Sequence, residues 1–293
     1  MKRILFPLFC LGLLLSGSLQ PLGALEVEVT GGVDNLTFHP DRITAHGQSA
    51  EYKQFEGYPF LYGDLLVRGD ITEKLKYEAL LQRDNILLNT LGAKLSTNMD
   101  YFNIEFGPFV GIGDNLERPD VGIMGGIELA LPGIVFLSIN GSSTLGFRFD
   151  FLGDGKRETA EVKVGFWLPH MIAAFSVNTR SYTRRPEESL TLRDELTRFV
   201  GSVDFYAKNF PLILRADAGY EVLSRSYKWG NTETIDELGA VFVGVEGRFH
   251  IKQLCVIGGY EMPLRLNASA PMESPANARS LYKFKAGVSC TFF

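Results

Sequence analysis

The sequence predicts an all-β chain folded as a transmembrane antiparallel up-and-down β-barrel, with fourteen strands expected and twelve as the alternative. Three observations predict it. Apolar and polar residues alternate with a period of two in segment after segment. No amphipathic helix of convincing length interrupts them, and no stretch reaches the roughly 18 consecutive apolar residues that a membrane helix needs. The links between segments are alternately short and long, as in a barrel whose turns face one side of a membrane and whose loops face the other.

Residues 1–24 stand apart from the rest. Lys2 and Arg3 form a positive start, an apolar run follows from Ile4 to Leu15, and small residues lead to an expected cut after Ala24. That is the layout of a secretory signal peptide, and the run is too short to cross a bilayer as a helix. The expected division is therefore 1–24 as signal peptide and 25–293 as barrel. Cys10 would leave with the peptide, and it lies inside the apolar core, away from any lipid-acylation position.

Fourteen segments follow, at 25–38, 58–69, 74–84, 88–97, 101–112, 121–131, 134–150, 159–168, 171–182, 196–207, 211–226, 235–250, 253–265 and 280–293. Their lengths suit tilted membrane strands, which need about 9–11 residues in the hydrocarbon. Twelve strands would result if 88–97 and a neighbour failed to form. Short links join every second pair: Asp70 to Glu73, Asn98 to Asp100, Pro132–Gly133, Pro169–His170, Lys208 to Phe210 and Ile251–Lys252. Most of the others are longer and polar, the longest being 39–57, 183–195 and 266–279, while 85–87 is the exception.

One face of every segment is apolar, for example Leu25, Val27 and Val29; Phe102, Ile104 and Phe106; Val162, Val164 and Phe166; and Val241, Val243 and Val245. That face carries no charge although 22% of the chain is charged. A charge at the bilayer midplane costs a barrel about 2–4 kcal/mol, which supplies the reason. The opposite face is crowded with ions, including Glu26, Glu28, Asp64, Asp150, Glu161, Asp204, Asp217 and Glu246. A soluble β-sandwich also alternates, but its strands share one apolar core and put their charged face in bulk water.

Composition excludes little by itself. Mean hydropathy of +0.04 suits a soluble protein and a polar-lined barrel equally. The formal charge is −5, and removal of Lys2 and Arg3 leaves 27 basic against 34 acidic residues, which gives no support to nucleic-acid binding. Cys255 and Cys290 remain after export. A disulfide is permitted in an oxidising envelope, but two separate cysteines are expected.

The C-terminal run Lys285-Ala286-Gly287-Val288-Ser289-Cys290-Thr291-Phe292 resembles the β-signal of Gram-negative outer-membrane proteins, with a polar residue, a glycine and two spaced apolar positions. Phe293 follows it, and Cys290 stands where a bulky residue is usual. The resemblance implies a cell outer-membrane location reached through the periplasm, with Gly287, Phe292 and Phe293 read by the barrel-assembly machinery. Across 25–293 the layout is similar to the monomeric fourteen-strand porins. The opening Gly31-Gly32-Val33-Asp34-Asn35-Leu36-Thr37-Phe38 also resembles the start of small spirochaetal barrels. Long-chain fatty-acid transporters share the strand number but carry an N-terminal hatch, whereas the first strand here is expected from Leu25.

A barrel this wide should hold a narrow water channel unless loops fill it, since eight strands are filled by side chains and sixteen leave a pore. Charges sort by strand order into two expected walls: Arg148, Lys163, Arg180, Arg198 and Arg225 on one, Glu78, Glu105 and Glu128 on the other. Such walls would orient solutes at a constriction. The expected function is passive diffusion of small hydrophilic solutes or ions, with outer-membrane lipid and those solutes as partners. The competing reading of the same charges is salt bridges that hold the barrel closed. A surface adhesin or ligand-binding barrel with a plugged lumen is the second expectation, drawn from Tyr52, Phe55 and Tyr58 in loop 39–57 and from Arg184, Arg185, Glu187, Glu188, Arg193 and Asp194 in 183–195.

Catalysis finds little support, and neither a cofactor nor a metal is expected. His39 and His46 lie near the first loop, while His170 and His250 sit at turns on the other side. No histidine has the serine and asparagine partners of outer-membrane phospholipases. His39, His46 and Asp41 could hold a metal, but such spacing is common in loops.

Overall fold

The computed structural model describes residues 25–34, 60–97, 99–113, 119–145, 155–187, 190–206, 210–268 and 283–292. Among them fourteen strands form one closed barrel in which each strand pairs antiparallel with its neighbours in sequence. They are β1 (Leu25–Asp34), β2 (Phe60–Thr72), β3 (Leu75–Asp84), β4 (Leu88–Thr97), β5 (Phe102–Ile112), β6 (Asp120–Leu131) and β7 (Val135–Thr144). The ring continues with β8 (Lys156–Leu168), β9 (Met171–Glu187), β10 (Leu190–Tyr206), β11 (Leu212–Trp229), β12 (Thr232–Ile251), β13 (Leu254–Ala268) and β14 (Lys283–Phe292). Fourteen is therefore the strand number, and 88–97 is one of them.

Closure is made by β1 against β14, in register from Leu25 opposite Phe292 to Asp34 opposite Lys283. A ring of this kind has no open edge, so every strand can satisfy its backbone without water, which is the condition for residing in lipid. Both strands that make the seam end at the side of the short turns.

Alternation then fixes the two surfaces. The outward set includes Leu65, Phe106, Ile127, Ile139, Phe166, Phe175, Val203, Val245 and Phe284, and most of these large apolar side chains are exposed. Apart from Arg265, which follows the β13 bulge opposite Val241, the outward positions among the described residues carry no charge until the far rim. There Arg83, Glu158, Arg185, Glu195, Lys228 and Glu237 begin abruptly. An uncharged girdle bounded by charge is the lipid-facing surface of an outer-membrane β-barrel, and the interior takes the remaining ions.

The turn side follows the expected pattern. Pro132-Gly133 and Pro169-His170 close tight connections with Gly133 and His170 in left-handed backbone (φ 77° and 66°), and Lys252 does the same after β12 (φ 54°). The other side departs from it. The long loop expected at 183–195 is mostly strand: β9 runs to Glu187 and β10 begins at Leu190, leaving only 188–189 between them. The link between β11 and β12 is likewise a two-residue turn, with Gly230 left-handed (φ 60°). Polar residues misled the reading because strand backbone above the membrane no longer needs one apolar face. As a result β9 to β12 span 17 to 20 residues while β3 and β4 span 10. One wall stands taller than the other.

Cys255 and Cys290 are separate thiols. They sit on adjacent strands, but Cys255 faces Ser289 and Cys290 faces Leu254, so their side chains point to opposite surfaces.

Candidate functional site

The interior is built by the inward residues of each strand, and adjacent-strand register decides which charges meet. Glu26 on β1, Arg68 on β2, Glu78 on β3, Lys94 on β4 and Glu105 on β5 form one continuous ladder. Arg68 Nε donates to Glu78 Oε2 at 3.0 Å, and Lys94 Nζ lies 2.9 Å from Glu78 and 3.0 Å from Glu105. Lys94 thus divides the two carboxylates that the sequence reading placed on a bare acidic wall. Glu128 projects inward from β6, in register with Asn103 and Ser138.

The basic wall is compensated in the same way. Arg198 on β10 lies 3.0 Å from the Glu221 carboxylate of β11 and donates from Nη2 to Glu261 of β13 at 2.7 Å, and its guanidinium lies 4.4 Å from the Phe242 ring. Arg225 grips Asp194 with Nε and Nη2 at 2.5 and 2.9 Å, and Arg184 reaches the same carboxylate at 3.4 Å. Lys163 stands over the Phe136 ring at 5.6 Å, within cation–π range. Arg148 lies outside the described residues. Of the residues expected in the two walls, Glu78, Glu105, Arg180, Arg198 and Arg225 are engaged in ion pairs.

Sequence reasoning missed two groups. One is an arc near the loop side: Asp120 bonds Arg157 at 2.9 Å, and the Arg157 guanidinium stacks on the Tyr182 ring at 4.2 Å. Arg157 is 1% exposed, and Gly111 makes room for it, since a Cβ there would lie 2.2 Å from Arg157 Nε. Nothing in a single sequence marks which glycine faces which arginine across a sheet.

The second is apolar and lies within the lumen. Ile86, Leu87 and Leu88, at the tip between β3 and β4, are each no more than 6% exposed and cluster with Tyr182 of β9, Leu223 of β11 and Leu196 of β10. The Asp84 carboxylate organises this tip. Its Oδ1 accepts the Ile86 and Leu87 amides at 2.8 and 2.5 Å, while Oδ2 accepts Arg180 Nη1 at 3.2 Å. The sequence did carry a signal: three consecutive apolar residues in a turn are out of place on a wetted surface.

Polar cavities flank this contact. One of about 160 Å³ is lined by Tyr62, Asp64, Gln82, Arg198 and Lys283, and one of about 240 Å³ by Gln82, Thr90, Lys94, Glu105 and Asn178. Two more, each of about 190 Å³, lie around Asp217, Glu246 and Lys285 and around Asp204, Arg215 and Arg248. His250 Nε2 lies 3.8 Å from Cys255 Sγ, and His170 is in a turn, so the two described histidines are apart. His39, His46 and Asp41, the loop 39–57 and Phe293 lie outside the described residues. Gly287 faces Thr30 across the closing seam, and Phe292 opposite Leu25 is directed outward.

No protein-family model matches the chain, and no curated protein matches it. Solved structures do. An outer membrane channel from Pseudomonas putida F1 shares 9% identity at a TM-score of 0.47, with 94% of this chain and 97% of that one covered. OmpT, an outer membrane protein of Vibrio cholerae, shares 11% at 0.41, covering 92% and 96%. A BenF-like porin from Pseudomonas fluorescens Pf-5 shares 9% at 0.31, covering 93% and 98%. Likeness at this level adds nothing to the strand pairing, which defines the barrel on its own.

Proposed function

We propose that the protein is an outer-membrane channel for passive diffusion of small hydrophilic solutes or ions. The observation that carries this reading is the interior: its inward side chains include many ion pairs, arranged around cavities lined largely by polar residues along the barrel. Ions held in a dry interior would be very costly, so a lining of this kind belongs with water. The barrel is also wider than the eight-strand rings that side chains alone fill.

Purified barrel, shown folded by heat-modifiable gel mobility, is expected to produce discrete conductance steps in planar bilayers. Folded protein that gives none at any voltage would reject the channel.

The second reading is a ligand-binding barrel with a plugged lumen. It draws on the apolar cluster at the β3–β4 tip, which a permanently open pore would not need. Capture of a ligand by intact cells, unaccompanied by conductance, would favour it.

A further inference from the structure

We propose that the β3–β4 tip is a gate: Ile86 and Leu87, docked on the opposite wall and latched by the Asp84–Arg180 pair, close the lumen, and their release opens it. The proposal rests on the channel reading above.

The geometry begins with the ring. In a closed barrel of fourteen strands, β3 and β10 are seven strands apart in either direction, which makes them diametrically opposed. The cluster that joins the β3–β4 tip to Leu196 therefore crosses the lumen rather than running along the wall. Asp84 and Arg180 repeat the crossing with charge, since β3 and β9 are six strands apart. Most other ion pairs lie within a strand, join neighbouring strands or join strands two apart, and Arg198–Glu261 spans three. Those pairs brace the wall. Asp84–Arg180 bridges the hole.

What it separates is polar. Gln82 and Arg180 line both the cavity of about 160 Å³ and the cavity of about 240 Å³, so the latch is the partition between two compartments. An apolar constriction between wetted compartments excludes water without filling the whole pore, which is how hydrophobic gates act. Backbone pairing alone closes the barrel, so this patch is not required for closure of the sheet.

The tip is also built to move as a unit. Asp84 binds both turn amides through one oxygen and Arg180 through the other, so loss of the latch leaves the turn intact. Leu88 enters β4 in left-handed backbone (φ 59°), a conformation that opposes a side chain of this kind and persists only where packing holds it. Arg180 is one-third exposed, which gives water and ions access to the latch.

The test uses the barrel purified from outer membranes and recorded in planar bilayers, as wild type, Asp84→Asn, Leu87→Ser and Leu223→Ala. Asp84→Asn keeps an oxygen for the turn amides and removes the charge; Leu223→Ala unseats the tip from the far wall without touching it. Wild type is expected to show rare openings, and each variant to raise the open fraction at least tenfold with unit conductance unchanged. Gel mobility confirms folding for each, and Leu223→Ala keeps the test decisive if a tip variant does not fold. A wild type that stays fully open, or variants with wild-type open fractions, overturns the gate and leaves the channel standing. Folded protein that is silent in all four forms overturns the channel and the gate with it.

Discussion

Individual side chains in this barrel are governed by which of two solvents they meet. Val203 faces outward from β10, paired with Ala173 and Ala216 across its neighbours, and the adjacent Asp204 turns inward to hold Arg215 at 2.6 Å. One position separates hydrocarbon from ions. Val203→Arg is expected to lower stability by about 2–4 kcal/mol, measured by urea unfolding of the barrel refolded in liposomes. An equal substitution at an inward position should cost less, and equal costs on both faces would show that no lipid touches β10. Many inward charges are held by an ion pair close by. Asp194, 3% exposed, is gripped by two arginines, so its removal would take the paired carboxylate from both of them. The identities of the inward residues could be read from the alternation. Their partners could not, since Lys94 falls between Glu78 and Glu105 only once β3, β4 and β5 are in register.

At the scale of elements, strand positions were legible wherever lipid imposes an apolar side, and they blurred where that demand stops. β9 and β10 continue past the girdle with Arg184, Arg185, Arg193 and Asp194 in strand backbone, a run that reads as a loop from polarity alone. The turns were easier, because Pro and Gly mark them. Pro169-His170 is an informative case. His170 adopts φ 66°, where an L-residue with a side chain pays roughly 1–2 kcal/mol and glycine does not. His170→Gly is therefore expected to stabilise the β8–β9 hairpin by up to about 1 kcal/mol after the entropic cost of glycine, read from the same unfolding titration. A loss of stability would mean that the imidazole makes a compensating contact.

The molecule as a whole depends on a single closure. β1 meets β14 through Thr30 opposite Gly287, and a Cβ on Gly287 would come within 2.6 Å of the Val29 carbonyl oxygen and of Thr30 Cγ2. Gly287→Val is expected to force the seam apart and cost about 1–3 kcal/mol as overpacking, seen as a smaller heat-modifiable fraction after refolding. Ala286→Val, on the lipid side of the same strand, should fold as wild type; if both variants fold equally, the seam tolerates bulk and closure does not rest on that glycine. The alternation of the sequence by itself determined that strands form, that they number fourteen or at the least twelve, and that one side of each is for lipid. A two-fold periodicity and a ban on charge in hydrocarbon leave few other solutions. Tertiary structure alone decided which ions pair, how tall each wall stands, and that an apolar turn meets the far wall. Those outcomes depend on residues from 11 positions apart, as Lys94 and Glu105, to 96 apart, as Asp84 and Arg180, being brought together by the register and curvature of the sheet, and no local pattern encodes those distances.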